Sequence, residues 1–141
     1  MTYTTQLRSE HDLLLGLADE LEAASSGEAP GDFTPLFILL GRFAELLQTH
    51  LLREDNMLYP AMLDSRDAEA ASVAAVFQEE IGGLATRLEH FEATWTGIEI
   101  SRRWPDFREE IQGLLEDLRV RIGRENDELY PLMERFPDLA A

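Results

Sequence analysis

The sequence predicts an all-α fold, an antiparallel up-down-up-down four-helix bundle. Three observations carry this: four stretches whose apolar residues recur at helical spacing, short turn-rich breaks between them, and a repeat that relates the second stretch to the fourth. No run of alternating polar and apolar residues argues for a strand. The 141 residues suit one domain, 1–141, long enough to bury a core without disulfides.

The first helix runs from Thr4 or Thr5 to about Ala24, with Leu7, Leu14, Ala18 and Leu21 in one stripe and His11 in the same line. Residues 25–33, SSGEAPGDF, are dense in turn formers and end it. Thr34 and Pro35 read as a cap followed by proline at the first helical position, so a second helix starts at about Pro35. Its inward stripe is Leu36, Leu40, Phe43, Leu47, His50, Glu54 and Met57, and Pro60 should kink or end it. After a polar connection at 64–67, the third helix carries Val73, Phe77, Glu80, Leu84, Leu88, Phe91, Trp95 and Ile98, with Gly82 and Gly83 as a weak point or close approach. Residues 101–104 form a break, Pro105 suits a helix start, and the fourth stripe runs Phe107, Ile111, Leu114, Leu118, Arg121, Glu125, Leu129 and Leu132, with Pro131 marking its end.

Residues 50–62, HLLREDNMLYPAM, and 121–133, RIGRENDELYPLM, agree at six of thirteen positions. The repeat maps the second helix onto the fourth, and the first should then map onto the third. Pairing His11 with His90 needs an offset of 79. Pairing it with Glu80 needs 69 and also aligns Glu10 with Glu79 and Leu15 with Leu84. At about 100° per residue Glu80 falls in the third stripe, whereas His90 lies to one side and roughly 15 Å along the axis. The expected layer is therefore His11, His50, Glu54, Glu80, Arg121 and Glu125, with His90 outside it. Tyr59 and Tyr130, five positions after their glutamates, point about 140° away from the layer in a regular helix and read as packing. Met57, Met62 and Met133 read as core filler, and Trp95 and Trp104 as a cap on the far end.

Buried carboxylates each lose several kcal/mol of solvation or take up protons unless counter-charge is present. One divalent cation with Arg121 would neutralise three carboxylates beside two neutral histidines. There is no cysteine, so any metal meets nitrogen and oxygen only, which suits iron, manganese or zinc. The charge of −16, with every basic residue an arginine, disfavours nucleic acid and anionic lipid as partners. The N-terminal stretch lacks the basic start and apolar run of a signal peptide, and no segment approaches the roughly 20 apolar residues of a membrane span, so a cytoplasmic protein is expected.

At these residues the chain resembles the hemerythrin-like, HHE cation-binding family. That family has four-helix bundles with a histidine on the first helix, His-x-x-x-Glu on the second, a histidine on the third and His-x-x-x-Glu on the fourth. His11 in RSEHDLLL, His50 and Glu54 in HLLREDNMLYP, and Glu125 in RENDELYP match, and the LYP after each glutamate is also typical of it. The resemblance implies a metal-binding bundle engaged with iron, dioxygen or another small molecule. Glu80 and Arg121 stand where the family commonly has histidines, and arginine does not deprotonate to bind a metal. One ion, held by His11, His50, Glu54, Glu80 and Glu125 with Arg121 as charge-compensating neighbour, is the expected site. A metal-free bundle serving as a protein-interaction module, with Arg121 bridging Glu54 and Glu125, is the rival reading, and a homo-oligomer fits either. Nothing in the sequence specifies a substrate pocket, and no enzymatic activity is read from it.

Overall fold

The structure, a computed structural model, describes residues 3–135. Four long helical segments follow one another. The first is α1 (Tyr3–Ala24). The second joins α2 (Thr34–Arg53), a single π-helical turn π1 (Glu54–Leu58) and α3 (Tyr59–Leu63). The third is divided into α4 (Ala68–Ile81) and α5 (Leu84–Thr94). After the short α6 (Gly97–Arg102), the fourth runs through α7 (Trp104–Arg124), a second π turn π2 (Glu125–Leu129) and α8 (Tyr130–Arg135). The described residues contain no strand, and no helix among them is long and apolar enough to cross a membrane.

Packing partners give the directions of the first, second and fourth segments. Along α1, Arg8 pairs with Glu134, Asp19 with Arg119, and the Ser25 carbonyl accepts from Arg108, so residue numbers fall on one segment as they rise on the other. Across α1 and α2, Tyr3 bonds the Arg53 carbonyl and Glu10 meets His50, again antiparallel. Local chemistry sets the ends. Asp32 accepts from the Thr34 amide just ahead of Pro35, Asp67 caps α4 through the Ala70 amide, and Thr96 caps α6 through the Glu99 amide. Pro105 occupies the first turn of α7, where its missing amide costs nothing.

The apolar core lies in two bodies. The larger, built on Leu14, Leu21, Phe43, Leu47, Phe91, Phe107, Ile111 and Leu118, fills the end of the bundle that holds Trp95 and Trp104. The smaller comprises Leu7, Leu58, Tyr59, Met62, Ala70, Ala74, Phe77, Leu129, Tyr130, Leu132 and Met133. On α1, His11 stands between Leu7 of the smaller body and Leu14 of the larger, and Glu54 and Glu125 occupy the same boundary on their own segments. The buried polar layer is therefore the seam between the two.

Several expectations change here. The third helix does not run unbroken to Ile98: it stops at Ile81, and Gly83 sits at φ +81°, a left-handed conformation that glycine adopts without the steric penalty of a side chain. Beyond the next break, Ile98 is 71% exposed and Ile100 is buried in its place. Pro60 and Pro131 do not end their segments, which continue to Leu63 and Arg135. Each proline follows a π turn, whose widened backbone accommodates the ring. The same extra residue rotates Met57 outward, to 58% exposure, and Leu58 inward, whereas Met62 and Met133 are core.

Candidate metal centre

His11, His50, Glu54, Arg121 and Glu125 are all brought together and buried. Each rises from a stripe that is otherwise almost wholly apolar, so the helical phase that builds the core also aims them into it. One ligand atom from each of His11, His50, Glu54 and Glu125 lies within 4.8 Å of the others, the spacing of a group that could hold a metal ion.

The two π turns determine what else faces this layer. In π1 the Tyr59 amide donates to the Glu54 carbonyl, and in π2 the Tyr130 amide donates to the Glu125 carbonyl. This i to i+5 closure brings each tyrosine back over the glutamate five residues earlier, where a regular helix would carry it to the far side. The phenols then cross between repeats. Tyr59 donates to Glu125 Oε2 at 2.8 Å, and Tyr130 donates to Glu54 Oε2 at 2.6 Å. Tyr130 also stacks on His11, with ring centroids 5.1 Å apart. Burial, first, and then the glutamate charges drive both phenol pKa values upward, which keeps the hydroxyls protonated as donors. The tyrosines are therefore part of the site, contrary to the reading of them as packing.

Arg121 spans the two carboxylates. Its Nε donates to Glu125 Oε2 at 3.1 Å, and its Nη2 to Glu54 Oε1 at 3.2 Å and Asp55 Oδ1 at 3.3 Å. Its Nη1 reaches the Ile81 carbonyl at 3.4 Å, one of the acceptors left open where α4 stops. Burial opposes the charge on Arg121, but Glu125 and Glu54 outweigh it and hold the guanidinium protonated. Burial, then the nearby Glu54 charge, raises the Glu125 carboxyl against the pull of His11 and Arg121.

Each histidine is held from behind. His50 Nδ1 lies 2.7 Å from Glu10 Oε1, and His11 Nδ1 lies 2.8 Å from Asn126 Oδ1. In front, His50 Nε2 stands 3.1 Å from Glu54 Oε1 and His11 Nε2 stands 3.2 Å from Glu125 Oε1. Of these four atoms, His50 Nε2 and Glu125 Oε1 are buried without a partner in hydrogen-bonding geometry, whereas Glu54 Oε1 accepts from Arg121 and His11 Nε2 lies 3.1 Å from the Tyr130 hydroxyl. Burial, reinforced by the neighbouring His11, pulls His50 down to about 3, so its imidazole is neutral. Burial also opposes charge on His11, yet its contact with Glu125 and the charges of Glu125 and Glu54 raise it overall, so the layer draws positive charge towards this histidine.

Glu80 is not in this layer. The buried line of α4 runs Ala70, Ala74 and Phe77 and continues towards Ile81, which leaves Glu80 one residue to the side. It is 52% exposed and pairs with Arg124 at 2.6 Å. The third segment reaches the site through the Ile81 carbonyl, which accepts from Arg121. His90 is exposed, as expected from its phase. Glu10, Asn126 and Asp55 were not singled out as site residues by the sequence; their signal was adjacency to a ligand position, which many surface residues share.

Two imidazole nitrogens and two carboxylates, with no thiolate, suit iron, zinc or manganese. Donors bound side by side to one such ion at about 2.1 Å stand roughly 3 Å apart, the spacing of the two front contacts.

The comparisons agree with that chemistry. A family model described as hemerythrin HHE cation binding domain matches residues 2–133. The chain is 26% identical over 108 residues to the iron-sulfur cluster repair protein YtfE of Cronobacter sakazakii (strain ATCC BAA-894), an alignment covering 74% of this chain and 49% of that protein. The chain thus spans about half the length of this curated relative. No solved structure matches it. The match over nearly the whole chain coincides with a helical bundle that buries histidine and glutamate at the resembling positions, and the chain belongs to the hemerythrin HHE cation-binding family.

Proposed function

We propose that the bundle binds one non-heme iron ion, with zinc or manganese as the alternatives, between His11, His50, Glu54 and Glu125, and uses it to sense or handle iron, dioxygen or another reactive small molecule. One observation carries this reading. His50 Nδ1 faces a carboxylate, which only accepts when ionised, so Nδ1 bears the hydrogen of the neutral ring and Nε2 bears a lone pair. That lone pair faces Glu54 Oε1 at 3.1 Å with no donor between them. Two buried lone pairs at this distance repel each other, and a cation lying between them removes the repulsion.

Charge supports a single ion. With both histidines neutral, Glu54, Glu125 and Arg121 sum to one negative charge, and Asp55 at the edge of the layer adds another. One divalent cation balances these, and a second would leave the layer strongly positive. Arg121 bonds both carboxylates, through Glu125 Oε2 and through the same Glu54 oxygen that faces His50, and so supplies the positive charge that a second ion would bring. Tyr59 and Tyr130 hold the outer carboxylate oxygens, which leaves Glu54 Oε1 and Glu125 Oε1 turned towards the histidines. A bound iron would supply a Lewis-acidic, redox-active centre. The iron-sulfur cluster repair named for the relative lends support to a role in iron handling.

The competing reading, a metal-free interaction module, draws on the same arginine: Arg121 by itself bridges Glu54 and Glu125. Anaerobic titration of metal-free protein with ferrous iron, manganese and zinc separates the two. Saturation at one equivalent with submicromolar affinity supports the metal site, and no saturable binding of any of the three supports the module.

A further inference from the structure

The backs of the two histidines differ, and the difference singles out a residue to which neither the family pattern nor the ligand set assigns a task. His11 rests on a neutral amide, Asn126. His50 rests on Glu10, a carboxylate only 12% exposed, which also takes the Arg53 guanidinium on its other oxygen. The backbone carbonyl of Arg53 accepts from Tyr3, which ties α1 to this turn of α2. Glu10 is therefore clamped between a histidine on α2 and an arginine three residues further along, and it reaches both from α1.

We propose that Glu10 is a positioning residue for the metal: it holds His50 as the Nδ1–H tautomer and aims the Nε2 lone pair into the site. This rests on the metal-binding reading above. The tautomer of a histidine is set by the hydrogen bond that its other nitrogen makes, and a carboxylate in that place also makes the ring a stronger donor to a metal. Without Glu10 the hydrogen of His50 is free to move to Nε2, where Glu54 Oε1 stands at 3.1 Å ready to accept it. A proton there closes the position a metal needs. Glu10 thus decides between an internal histidine-carboxylate hydrogen bond and an open ligand pair. Arg53 holds Glu10 in place and takes no part in choosing the tautomer. On the His11 side the amide of Asn126 orients the ring without adding charge, so His50 is the stronger of the two nitrogen donors.

The test combines long-range 15N–1H correlation spectra of the histidine rings at neutral pH with chelator-competition affinities for ferrous iron and zinc. The variants are Glu10→Ala, Glu10→Gln and Arg53→Met. Wild type should show His50 protonated at Nδ1, and Glu10→Ala should shift the proton to Nε2 and weaken metal binding by about 10–100-fold. Glu10→Gln keeps an acceptor without the charge and should retain the tautomer with an intermediate loss of affinity. Arg53→Met should leave the His50 tautomer unchanged. An Nε2–H ring in the wild type overturns the proposal, as does a Glu10→Ala protein with wild-type tautomer or wild-type affinity. If the wild type binds neither metal, the metal reading fails, and the tautomer comparison alone decides the role of Glu10.

Discussion

The two halves of the site share a backbone and part company at the residue one turn before the glutamate. In both, a buried glutamate opens a π turn, a tyrosine closes it five residues later, a proline follows, and the phenol crosses to the glutamate of the opposite half. Four residues before the glutamate, one half has His50 and the other Arg121. The histidine offers a lone pair towards its glutamate, whereas the arginine offers hydrogens to both glutamates. A symmetric frame is thereby filled asymmetrically, with an ion expected on one side and a guanidinium on the other. The backbone fixes where the carboxylates stand, and the residue one turn earlier determines whether the positive charge beside them is covalent or bound.

The largest way to break this comparison is to remove a shared carboxylate. Glu125→Ala leaves Arg121 with a buried charge that only Glu54 and the partly exposed Asp55 meet, and the metal-free protein should lose about 3–5 kcal/mol, read from the denaturant midpoint. Wild-type stability would show that Arg121 does not depend on the pair. Making the halves alike comes next. Arg121→His should weaken the metal-free fold, because two carboxylates then face each other without fixed counter-charge, and it should raise bound zinc or iron from one towards two equivalents per chain. An unchanged stoichiometry would mean that Arg121 does not stand in for an ion.

The tyrosine crossings provide a finer test. Tyr59→Phe and Tyr130→Phe each remove a hydrogen bond to a buried carboxylate and should cost about 1.5–3 kcal/mol. Tyr130→Phe should cost more, since the Tyr130 hydroxyl also lies 3.1 Å from His11 Nε2. Equal and negligible losses would return both tyrosines to simple packing. The smallest effect belongs to Glu80→Gln. Its pair with Arg124 is half exposed, so stability should change by under about 1 kcal/mol and metal affinity not at all. A weakened site in that variant would put Glu80 back among the ligands.

These predictions divide along the line between what a regular helix shows in sequence and what it does not. His11, His50, Glu54, Arg121 and Glu125 were legible because α1, α2 and α7 keep one phase up to the layer, and a polar residue in an apolar stripe then has one place to go. Glu80 was misplaced because the third stripe was carried at constant phase through Gly82 and Gly83. The left-handed turn at Gly83 separates the phase of α4 from that of α5, and the inward position near the break belongs to Ile81. The tyrosines Tyr59 and Tyr130, read as packing, and Met57, read as core, differ from the structure for a related reason. A π turn inserts one residue into the period and leaves no composition signal at a single site. The paired Glu and Tyr of the two repeats were its trace, visible as likeness between the halves but not as a change of register. Glu10 was legible only as a neighbour of His11, because its contact lies on another helix.

The most direct test is the metal content of protein purified without chelator or affinity metal, measured by plasma mass spectrometry beside a Glu54→Ala, Glu125→Ala double variant. One equivalent of iron, or of zinc or manganese, that is absent from the variant is the predicted result. Two equivalents would contradict the role given to Arg121, and no metal in a protein that also refuses added iron, zinc and manganese would contradict the metal centre itself.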